Sequence, residues 1–449
     1  MTNRLIPVVA ALVTGLFAAN AVQAETYILE AGKWKGAQTN AVEAAGGEIV
    51  WKHGPTGLAM VQSDNPGFLD AVDASGAFKF AEADLVVSWG QPPAVQQSVA
   101  PEDDTHFQKQ WNLEAIDAPA AWAAGCTGAG VRVAVIDGGI NHEHNDLAGQ
   151  VDTACSASFV PGEPFNSDTG VFWHGSHVAG IVAAKDNDFG IVGVAPDATI
   201  MAVKALHDGS GSFGAVIGAI LFSADPAPFG TGCAEKADII NMSLGAVFPK
   251  RVAGGFHSLL AKAVNFAGSK GVLVLSSAGN EGIDFGQSNQ QTGFGDLISV
   301  PAQAGSGLAV SATGPIGWQA NGNADFDRLA SYSNYGEGLI NIAAPGGDFA
   351  YPGNELCTFD GTTFPCWVFD MVPAPCGGGN GFFTCWAAGT SMASPAAAGV
   401  AALIKGANPD ISLGRLKTKL QQSAVDKGKK GHDEVYGHGW VNALNACTQ

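Results

Sequence analysis

The sequence predicts an α/β protein with a mainly parallel central sheet, preceded by a small α+β unit. From about residue 110 onward, short apolar strands alternate with alanine-rich helical segments, which is the pattern of a parallel sheet covered by helices. Residues 25–90 instead combine strand-like runs with a helix-permissive stretch near Ala41. A composition of 46% hydrophobic and 14% charged residues over 449 positions suits one large domain with an appendage and excludes a disordered chain.

The elements of the two units follow from their apolar runs. The small unit is expected to begin with a strand at residues 26–30 and to end in two apolar runs between residues 78 and 87. Residues 91–101, rich in proline, glutamine and serine, have the composition of an exposed and cleavable linker. In the large unit we expect strands at residues 131–136, 200–205, 238–242 and 271–276, and helices at residues 177–184, 213–223, 258–267 and 391–405.

The first 24 residues resemble a secretory signal peptide rather than a part of the fold. Arg4 provides a positive start, residues 5–19 form an apolar run, and Ala24 ends a stretch of small residues suited to cleavage. An uncleaved membrane anchor is the alternative, but the run is short for a bilayer span. We therefore expect cleavage after Ala24 and a secreted protein, extracellular or periplasmic, without a stable membrane association.

Charge and cysteine content agree with export. A formal net charge of −19 makes nucleic acid and anionic membranes poor partners, and it suits a protein that binds hard cations such as calcium. An even number of cysteines, eight in this chain, favours disulfides over buried free thiols in an oxidising compartment. None forms a C-x-x-C pair, which argues against a thioredoxin-like site or a zinc ribbon. The four cysteines between Cys357 and Cys385 are expected to pair among themselves.

Three segments carry residue types that can perform nucleophilic catalysis. Asp137 ends an apolar strand, where open α/β sheets place ligands, although an Asp before two glycines is more often a turn residue. His174 opens the segment HGSHVAG, whose two histidines could be metal ligands, a helix cap, or a general base with a structural neighbour. Ser391, in the segment AGTSMASP, is expected at a helix start, where a plain N-cap is the alternative. Pro395 is expected in the first turn of that helix.

Taken together, these segments resemble the subtilase family of serine proteases. The order Asp, His, Ser is that of subtilisin, and the runs VAVID, HGSHVAG and GTSMASP match motifs of the family at residues 133–137, 174–180 and 389–395. Two further segments agree, NMSLG at residues 241–245 and SAGN at residues 277–280. The resemblance covers about residues 107–446 and implies a subtilisin-like three-layer fold and a serine endopeptidase.

The resemblance implies a role for each candidate residue. Ser391 would be the nucleophile, His174 the general base, and Asp137 the group that orients the imidazole. The Asn280 side chain and the Ser391 N–H would hold the oxyanion. Peptide substrates would bind in extended form between two edge segments, and no organic cofactor is expected. The substrate-binding residues would be Gly209, Ser210, Gly211, Ser243, Leu244, Gly245, Ser277, Ala278 and Gly279.

The resemblance also implies a structural calcium site. Asp146 matches a carboxylate ligand of that site, and residues 185–191 match its other half, with a remaining ligand at Gln108 or Asp104. An acidic surface loop without a metal is the alternative. Oxygen ligands of this kind suit a hard cation. The loop ligands would be the side chain of Asn187 and the backbone carbonyls of Lys185, Phe189 and Ile191.

By the same resemblance, residues 25–100 are an inhibitory propeptide and residues 107–449 a catalytic domain. The tail of the propeptide would occupy the active-site cleft until self-cleavage between about Gln91 and His106. We expect a monomer that acts on protein or peptide substrates and that is inhibited by its own propeptide.

Two departures from the family pattern affect these expectations. Gly138 stands where the family usually has Ser or Thr, so a hydroxyl that would bond to Asp137 is missing and the geometry would be looser or supported by another group. Residues 347–386 form a Cys-rich insertion that is expected at the rim of the cleft. The rival classes are a binding protein that lost turnover, which the intact Asp, His, Ser and Asn disfavour, and an esterase, which the peptide-binding edge segments disfavour.

Overall fold

The computed structural model describes residues 25–90, 92, 94–98, 107–170, 172–293, 295–359, 361–377 and 383–449. The predicted signal peptide and most of the predicted cleavage region therefore lie outside the described residues. The strands, in chain order, are β1 (Glu25–Glu30), β2 (Gly47–His53), β3 (Leu58–Ser63), β4 (Phe80–Ala83), β5 (Val86–Ser88), β6 (Ala94–Ser98), β7 (Arg132–Asp137), β8 (Ala157–Ser158), β9 (Thr199–Lys204), β10 (Ser210–Ser212), β11 (Ile239–Met242), β12 (Ala246–Pro249), β13 (Leu273–Ser277), β14 (Leu297–Val300), β15 (Leu308–Thr313), β16 (Ile342–Pro345), β17 (Leu356–Phe359), β18 (Thr362–Pro365), β19 (Val372–Cys376) and β20 (Phe383–Ala387). The helices are α1 (Gly36–Ala44), α2 (Phe68–Ser75), α3 (Trp111–Ala115), α4 (Ala118–Ala123), α5 (His174–Ala183), α6 (Phe213–Ala224), α7 (Lys250–Ser269), α8 (Ser288–Thr292), α9 (Trp318–Asn321), α10 (Thr390–Ala407), α11 (Leu413–Gln422) and α12 (Ala443–Thr448).

A seven-stranded sheet in the order β16-β15-β13-β11-β7-β9-β8 forms the centre of the large unit, and its paired strands are parallel. Side chains alternate along β7, because successive residues of a strand point to opposite faces. Val133 and Val135 pack with α5 and α10 on one face, whereas Ala134 and Ile136 pack with α6 and α7 on the other. The result is a three-layer α/β fold, as the sequence predicts.

The small unit is an antiparallel sheet in the order β2-β3-β1-β4. One face of this sheet packs against α1 and α2 through Leu29 and its neighbours. Ile28 and Met60, on the other face, join the core of the large unit beside α6 and α7. The two units therefore share apolar contacts across the second face of the small sheet.

The stretch predicted to be a Cys-rich insertion contains two hairpins, β17–β18 and β19–β20, and each is closed by a disulfide. The expected pairing among the four cysteines of this stretch is confirmed, and no free cysteine is present in the described residues. The bonds are Cys126–Cys447, Cys155–Cys233, Cys357–Cys366 and Cys376–Cys385. Within the part of the chain that the structure describes, no helix is both long and apolar enough to cross a bilayer.

Several elements extend beyond their predicted bounds. The helix α5 begins at His174 rather than at residue 177, and α7 begins at Lys250, well before residue 258. The expected position of Pro395 is wrong: because α10 begins at Thr390, this proline lies in the second turn rather than the first.

Candidate active site

Asp137 and His174 form a buried pair where the last residue of β7 meets the first residue of α5. Nδ1 of His174 lies 2.8 Å from Oδ1 and 2.9 Å from Oδ2 of Asp137. The two side chains are only 3% and 2% exposed. Since a carboxylate can only accept, Nδ1 must donate the proton, and Nε2 is then the basic nitrogen of a neutral ring. Among the described residues, Nε2 of His174 has no hydrogen-bond partner.

A second carboxylate, that of Asp168, occupies the space that Gly138 leaves open. A Cβ atom at Gly138 would lie 2.6 Å from Oδ2 of Asp168, which is closer than nonbonded contact permits. Burial tends to lower the pKa of His174, but the charge and hydrogen bond of Asp137 and the charge of Asp168 together raise it. Burial also raises the pKa of Asp168, an effect that a bond from the Thr169 N–H and the charge of Lys204 oppose.

His177, three residues after His174, forms a hydrogen bond to the backbone of β20. Its ring lies fully buried, and Nε2 donates to the carbonyl of Cys385 on β20 at 3.0 Å. Burial lowers the pKa of His177 to about 3, so the ring is neutral at ordinary pH. Of the alternatives for the two histidines, this hydrogen bond favours a structural neighbour. Among the described residues, no group of three or more His, Cys, Asp or Glu that could hold a metal occurs.

Ser391 is the second residue of α10, at the positive end of an eighteen-residue helix. Pro395 has no N–H, so the carbonyl of Ser391, four residues earlier, has no partner within the helix. The hydroxyl of Ser243 supplies that partner at 2.7 Å. Oγ of Ser391 in turn donates to the Ser243 carbonyl at 3.2 Å. The position of Pro395 in the second turn thus links Ser391 of α10 to Ser243, in the segment after β11.

Asn280 has a fixed amide orientation beside Ser391. Its Oδ1 accepts from both the N–H and the hydroxyl of Thr390, each at 2.8 Å. Because an N–H must donate to an oxygen, these bonds define which end of the amide is which. Nδ2 is left as a donor on the side of Gly389, where it would lie 3.5 Å from a Cβ atom at that position.

The first predicted substrate-binding segment, residues 209–211, pairs with another strand of the same chain. Residues Ser210–Ser212 pair antiparallel with β5, with Gly211 opposite Val87. The N–H of Trp89 donates to the Gly209 carbonyl at 2.8 Å, and its indole N–H donates to the Gly211 carbonyl at 3.0 Å. Glycine is required at position 211, since a Cβ atom there would lie 2.5 Å from the Ala205 carbonyl oxygen.

The second predicted substrate-binding segment, residues 243–245, lies next to the predicted pocket wall, residues 277–279. Ser277 ends β13, and its hydroxyl donates to the carbonyl of Leu244 at 3.2 Å. A Cβ atom at Gly245 would lie 3.7 Å from the Ser277 carbonyl oxygen. Gly279 has a φ of +106°, and its N–H donates to the Thr390 hydroxyl at 3.2 Å. Parallel strands β11 and β13 therefore bring residues 243–245 and 277–279 to one edge of the sheet, beside α10.

Comparison with known proteins agrees with this arrangement. The sequence model of the subtilase family matches residues 128–439. The chain belongs to the subtilase family. It is a subtilisin-like serine protease, and hence a hydrolase.

Curated relatives cover most of this subtilase. The alkaline protease of Alkalihalobacillus alcalophilus is 34% identical over 382 residues, which are 84% of this chain and 76% of the relative. Subtilisin BL of Lederbergia lenta is 35% identical over 336 residues, which are 74% of this chain and 96% of the relative. The structure of the epidermin leader peptide processing serine protease from Staphylococcus aureus is similar to this one, with a TM-score of 0.73 at 22% sequence identity. The matched region covers 95% of this chain and 98% of the Staphylococcus aureus chain. At 22% sequence identity, this structural similarity supports a shared fold and nothing more.

The predicted metal-binding residues of this subtilase also lie together. Asp146 is buried, and the loop of residues 185–191 folds over it. The Lys185 N–H donates to the Asp146 carbonyl at 2.8 Å, and the Ile191 N–H lies 3.3 Å from Oδ2 of Asp146. Asn187 accepts from the Phe189 N–H at 3.1 Å. Gln108 is exposed, and Asp104 lies outside the described residues.

Two residues near the site were not predicted from the sequence. Asp168 lies far from Asp137 along the chain and carries no motif, so nothing in the sequence could indicate it. Thr390 lies inside the predicted motif, where the residue beside the nucleophile could have been considered as a support for Asn280. The hydroxyl missing at position 138 is replaced by a backbone donor, since the Gly138 N–H donates to Oδ1 of Asp137 at 2.7 Å.

Proposed function

We propose that this subtilase is a secreted serine endopeptidase, made as a precursor that cleaves itself, with Asp137, His174 and Ser391 as its catalytic triad. The observation that carries the proposal is the buried Asp137–His174 pair, which leaves a basic Nε2 without a partner among the described residues. The hydroxyl of Ser391 at the start of α10 and the amide donor of Asn280 supply the two other groups that acyl transfer requires.

The residues would act in a fixed order. Nε2 of His174 takes the proton of the Ser391 hydroxyl as Oγ attacks the scissile carbonyl carbon. In the described geometry Oγ bonds to the Ser243 carbonyl, so a rotation about the Cα–Cβ bond of Ser391 must precede attack. Asp137 holds the ring and stabilises the imidazolium. Nδ2 of Asn280 and the Ser391 N–H then donate to the oxyanion.

Collapse of the tetrahedral intermediate completes acylation. The carbon–nitrogen bond breaks as His174 returns its proton to the leaving amine, and the acyl group stays on Ser391. Water then attacks the ester with His174 again as base, which releases the acid and restores the hydroxyl. Peptide is the proposed substrate because residues 209–211 already hold an extended strand through main-chain bonds. Residues 243–245 and 277–279 would line the pocket for the side chain before the cut.

The path of the N-terminal unit supports self-processing. After β5 the chain turns toward α10, and a Cβ atom at Gly389 would lie only 2.9 Å from Cβ of Pro92. Pro92 therefore lies against Gly389, two residues before Ser391 and on the side where Nδ2 of Asn280 lies. We propose that residues 25–100 are the inhibitory propeptide, that residues 107–449 are the catalytic domain, and that cleavage between about Gln91 and His106 activates it. Secretion is proposed from residues 1–24 and from the four disulfides.

A calcium ion would fit the loop over Asp146. The proposed ligands are a carboxylate of Asp146, the amide oxygen of Asn187 and three backbone carbonyls, all oxygen donors suited to a hard cation. An ion there would link the loop of residues 185–191 to Asp146 and so stabilise the fold. The carbonyls would be those of Lys185, Phe189 and Ile191.

Expression of the wild type beside Ser391→Ala, with mass followed over time, tests the proposal. The wild type should lose residues 25 to about 100, whereas Ser391→Ala should keep the mass of the precursor. Ser258→Ala, which changes an exposed serine on α7, is the matched control and should be processed like the wild type. Equal processing of Ser391→Ala and wild type would mean that another protease cuts the chain.

A further inference from the structure

A buried lysine lies opposite the aspartate of the proposed triad. In the central sheet, β9 pairs parallel with β7, and their last residues, Lys204 and Asp137, are directly opposite each other. The side chain of Lys204 is fully buried. A lysine is rarely buried so completely unless a carboxylate compensates its charge. Here Nζ lies 3.1 Å from Oε2 of Glu163 and donates to the Ser167 carbonyl at 2.9 Å.

These contacts hold the loop of residues 163–168 against the two glycines that follow β7. The carbonyl oxygen of Ser167, which accepts from the lysine, would lie 2.1 Å from a Cβ atom at Gly139, so only glycine permits this approach. The next residue of the loop, Asp168, places its carboxylate in the space beside Gly138. The lysine therefore holds the part of the loop that carries the second carboxylate of the site.

Glu163 connects the same lysine to the first predicted substrate-binding segment. Its Oε2 atom lies beside Lys204, and its Oε1 atom lies 2.6 Å from Nδ1 of His207. The backbone of His207 bonds twice to Ser210, the first residue of β10: its N–H donates to the Ser210 carbonyl at 2.7 Å, and its carbonyl accepts from the Ser210 N–H at 2.9 Å. One buried cation thus links the loop beside the triad to the turn before β10.

The charge of Lys204 also acts on the carboxylate that the loop carries. Burial raises the pKa of Asp168, and the charge of Asp137 raises it further. The Thr169 N–H and the charges of Lys204 and His174 lower it. Since the imidazole is neutral in the resting pair, Lys204 supplies the lasting positive charge that keeps Asp168 ionised. The charged or titratable groups around Asp168 are Asp137 on β7, His174 on α5 and Lys204 on β9, with Glu163, His207 and Asp208 one contact further away.

We propose that Lys204 is a positioning residue of the catalytic site: it holds the loop of residues 163–168 beside the triad and so keeps a second negative carboxylate, that of Asp168, near the imidazole. The inference rests on the proposed role of His174 as general base. Because Nζ of Lys204 is engaged by Glu163 and by the loop backbone, the lysine acts through Asp168 and not on the substrate. A negative charge near the ring favours the imidazolium that forms when the nucleophile loses its proton.

The pH dependence of kcat/KM on a short chromogenic peptide tests this, in the processed wild type and in processed Lys204→Met. The acid limb of the profile reports the ionisation of His174 in the free enzyme. Methionine fills a similar volume without a charge, so Asp168 should take up a proton more readily and the imidazole should lose a nearby negative charge. The acid limb of Lys204→Met should therefore lie at lower pH. Above the limb, kcat should fall on the order of tenfold, since the imidazolium formed during attack has lost a stabilising charge.

The direction in which the acid limb moves separates this role from its alternatives. If the charge of Lys204 acted directly on the imidazole, its removal would move the limb to higher pH, because a repelling cation would be lost. If the lysine served only the stability of the fold, the melting temperature would fall and the limb would stay in place. Either result would overturn the inference alone. Failure of the wild type to cut any peptide would remove the proposed function and this inference with it.

A double variant tests whether the effect passes through Asp168. Lys204→Met/Asp168→Asn should have the same acid limb as Asp168→Asn alone, and a further shift in the double variant would contradict the proposal. Should Lys204→Met not fold, Lys204→Met/Glu163→Gln removes both charges of the ion pair and should move the limb in the same direction. Lys270→Met is the matched control. It removes the lysine of an ion pair with Asp225, just after the end of α6, and should keep the wild-type limb.

Discussion

Replacing Asp84 by asparagine should stabilise the uncut chain at pH 8 and change it little at pH 4. Asp84 joins the small unit to the large one, because its Oδ1 accepts from the N–H of Gly214 in the first turn of α6 at 3.0 Å. Burial raises the pKa of this carboxyl to about 6, against the opposing effects of the Ser212 side chain and the Gly214 N–H. The folded chain therefore favours the protonated form.

The direction and the size of the change in unfolding free energy follow from this pKa shift. A pKa raised on folding gives stability that is complete below the unfolded value of 3.8 and is lost as pH rises through about 6. A shift of about two pKa units corresponds to about 3 kcal/mol. This net shift already includes the opposing effects of the Ser212 side chain and of the Gly214 N–H at the start of α6. Since asparagine cannot ionise, Asp84→Asn should gain at most about 3 kcal/mol at pH 8.

The comparison is made in the Ser391→Ala background, in which the proposed self-cleavage is removed. Urea unfolding of Ser391→Ala and of Ser391→Ala/Asp84→Asn, followed by circular dichroism at pH 4 and pH 8, gives the difference at each pH. Glu82→Gln is the matched control, because Glu82 is an exposed carboxylate on β4, two residues away, and should give no pH-dependent difference. A variant Asp84→Asn that is less stable at pH 8 than at pH 4, relative to its parent, would refute the reasoning.

Three further predictions concern the site. Asn280→Ala should lower kcat on a peptide on the order of 10²–10³-fold with KM nearly unchanged, as for the corresponding subtilisin change; a loss confined to KM would remove Asn280 from the oxyanion site. Asp168→Asn should move the acid limb of the kcat/KM profile to lower pH, because the charge of Asp168 helps to raise the pKa of His174; an unmoved limb would show that this charge does not reach the imidazole. Chelation with EDTA should lower the melting temperature of the wild type but not that of Asp146→Asn, and equal sensitivity in both would count against the calcium site.

Local pattern in the sequence was sufficient to predict the four central strands of the large sheet and the helix that carries Ser391. The apolar runs that become β7, β9, β11 and β13 are each bounded within a residue or two of their predicted ends. The start of α7 was missed because Gly254 and Gly255 disfavour a helix by propensity. The structure gives the reason for one of them: a Cβ atom at Gly255 would lie 2.6 Å from the ring of Phe80, so glycine there lets the small sheet pack against α7.

The sequence by itself determined the α/β class, the order of the Asp, His and Ser motifs, and the elements that end or begin at each of them. These depend on side-chain periodicity and on turn residues within a few positions, which are local properties of a chain. Only the tertiary structure decided that Asp168 fills the space beside Gly138, that Asp84 bonds to the start of α6, and that β6 lies on β20. Such contacts join residues distant in sequence, and they depend on how finished elements pack, which no local pattern encodes.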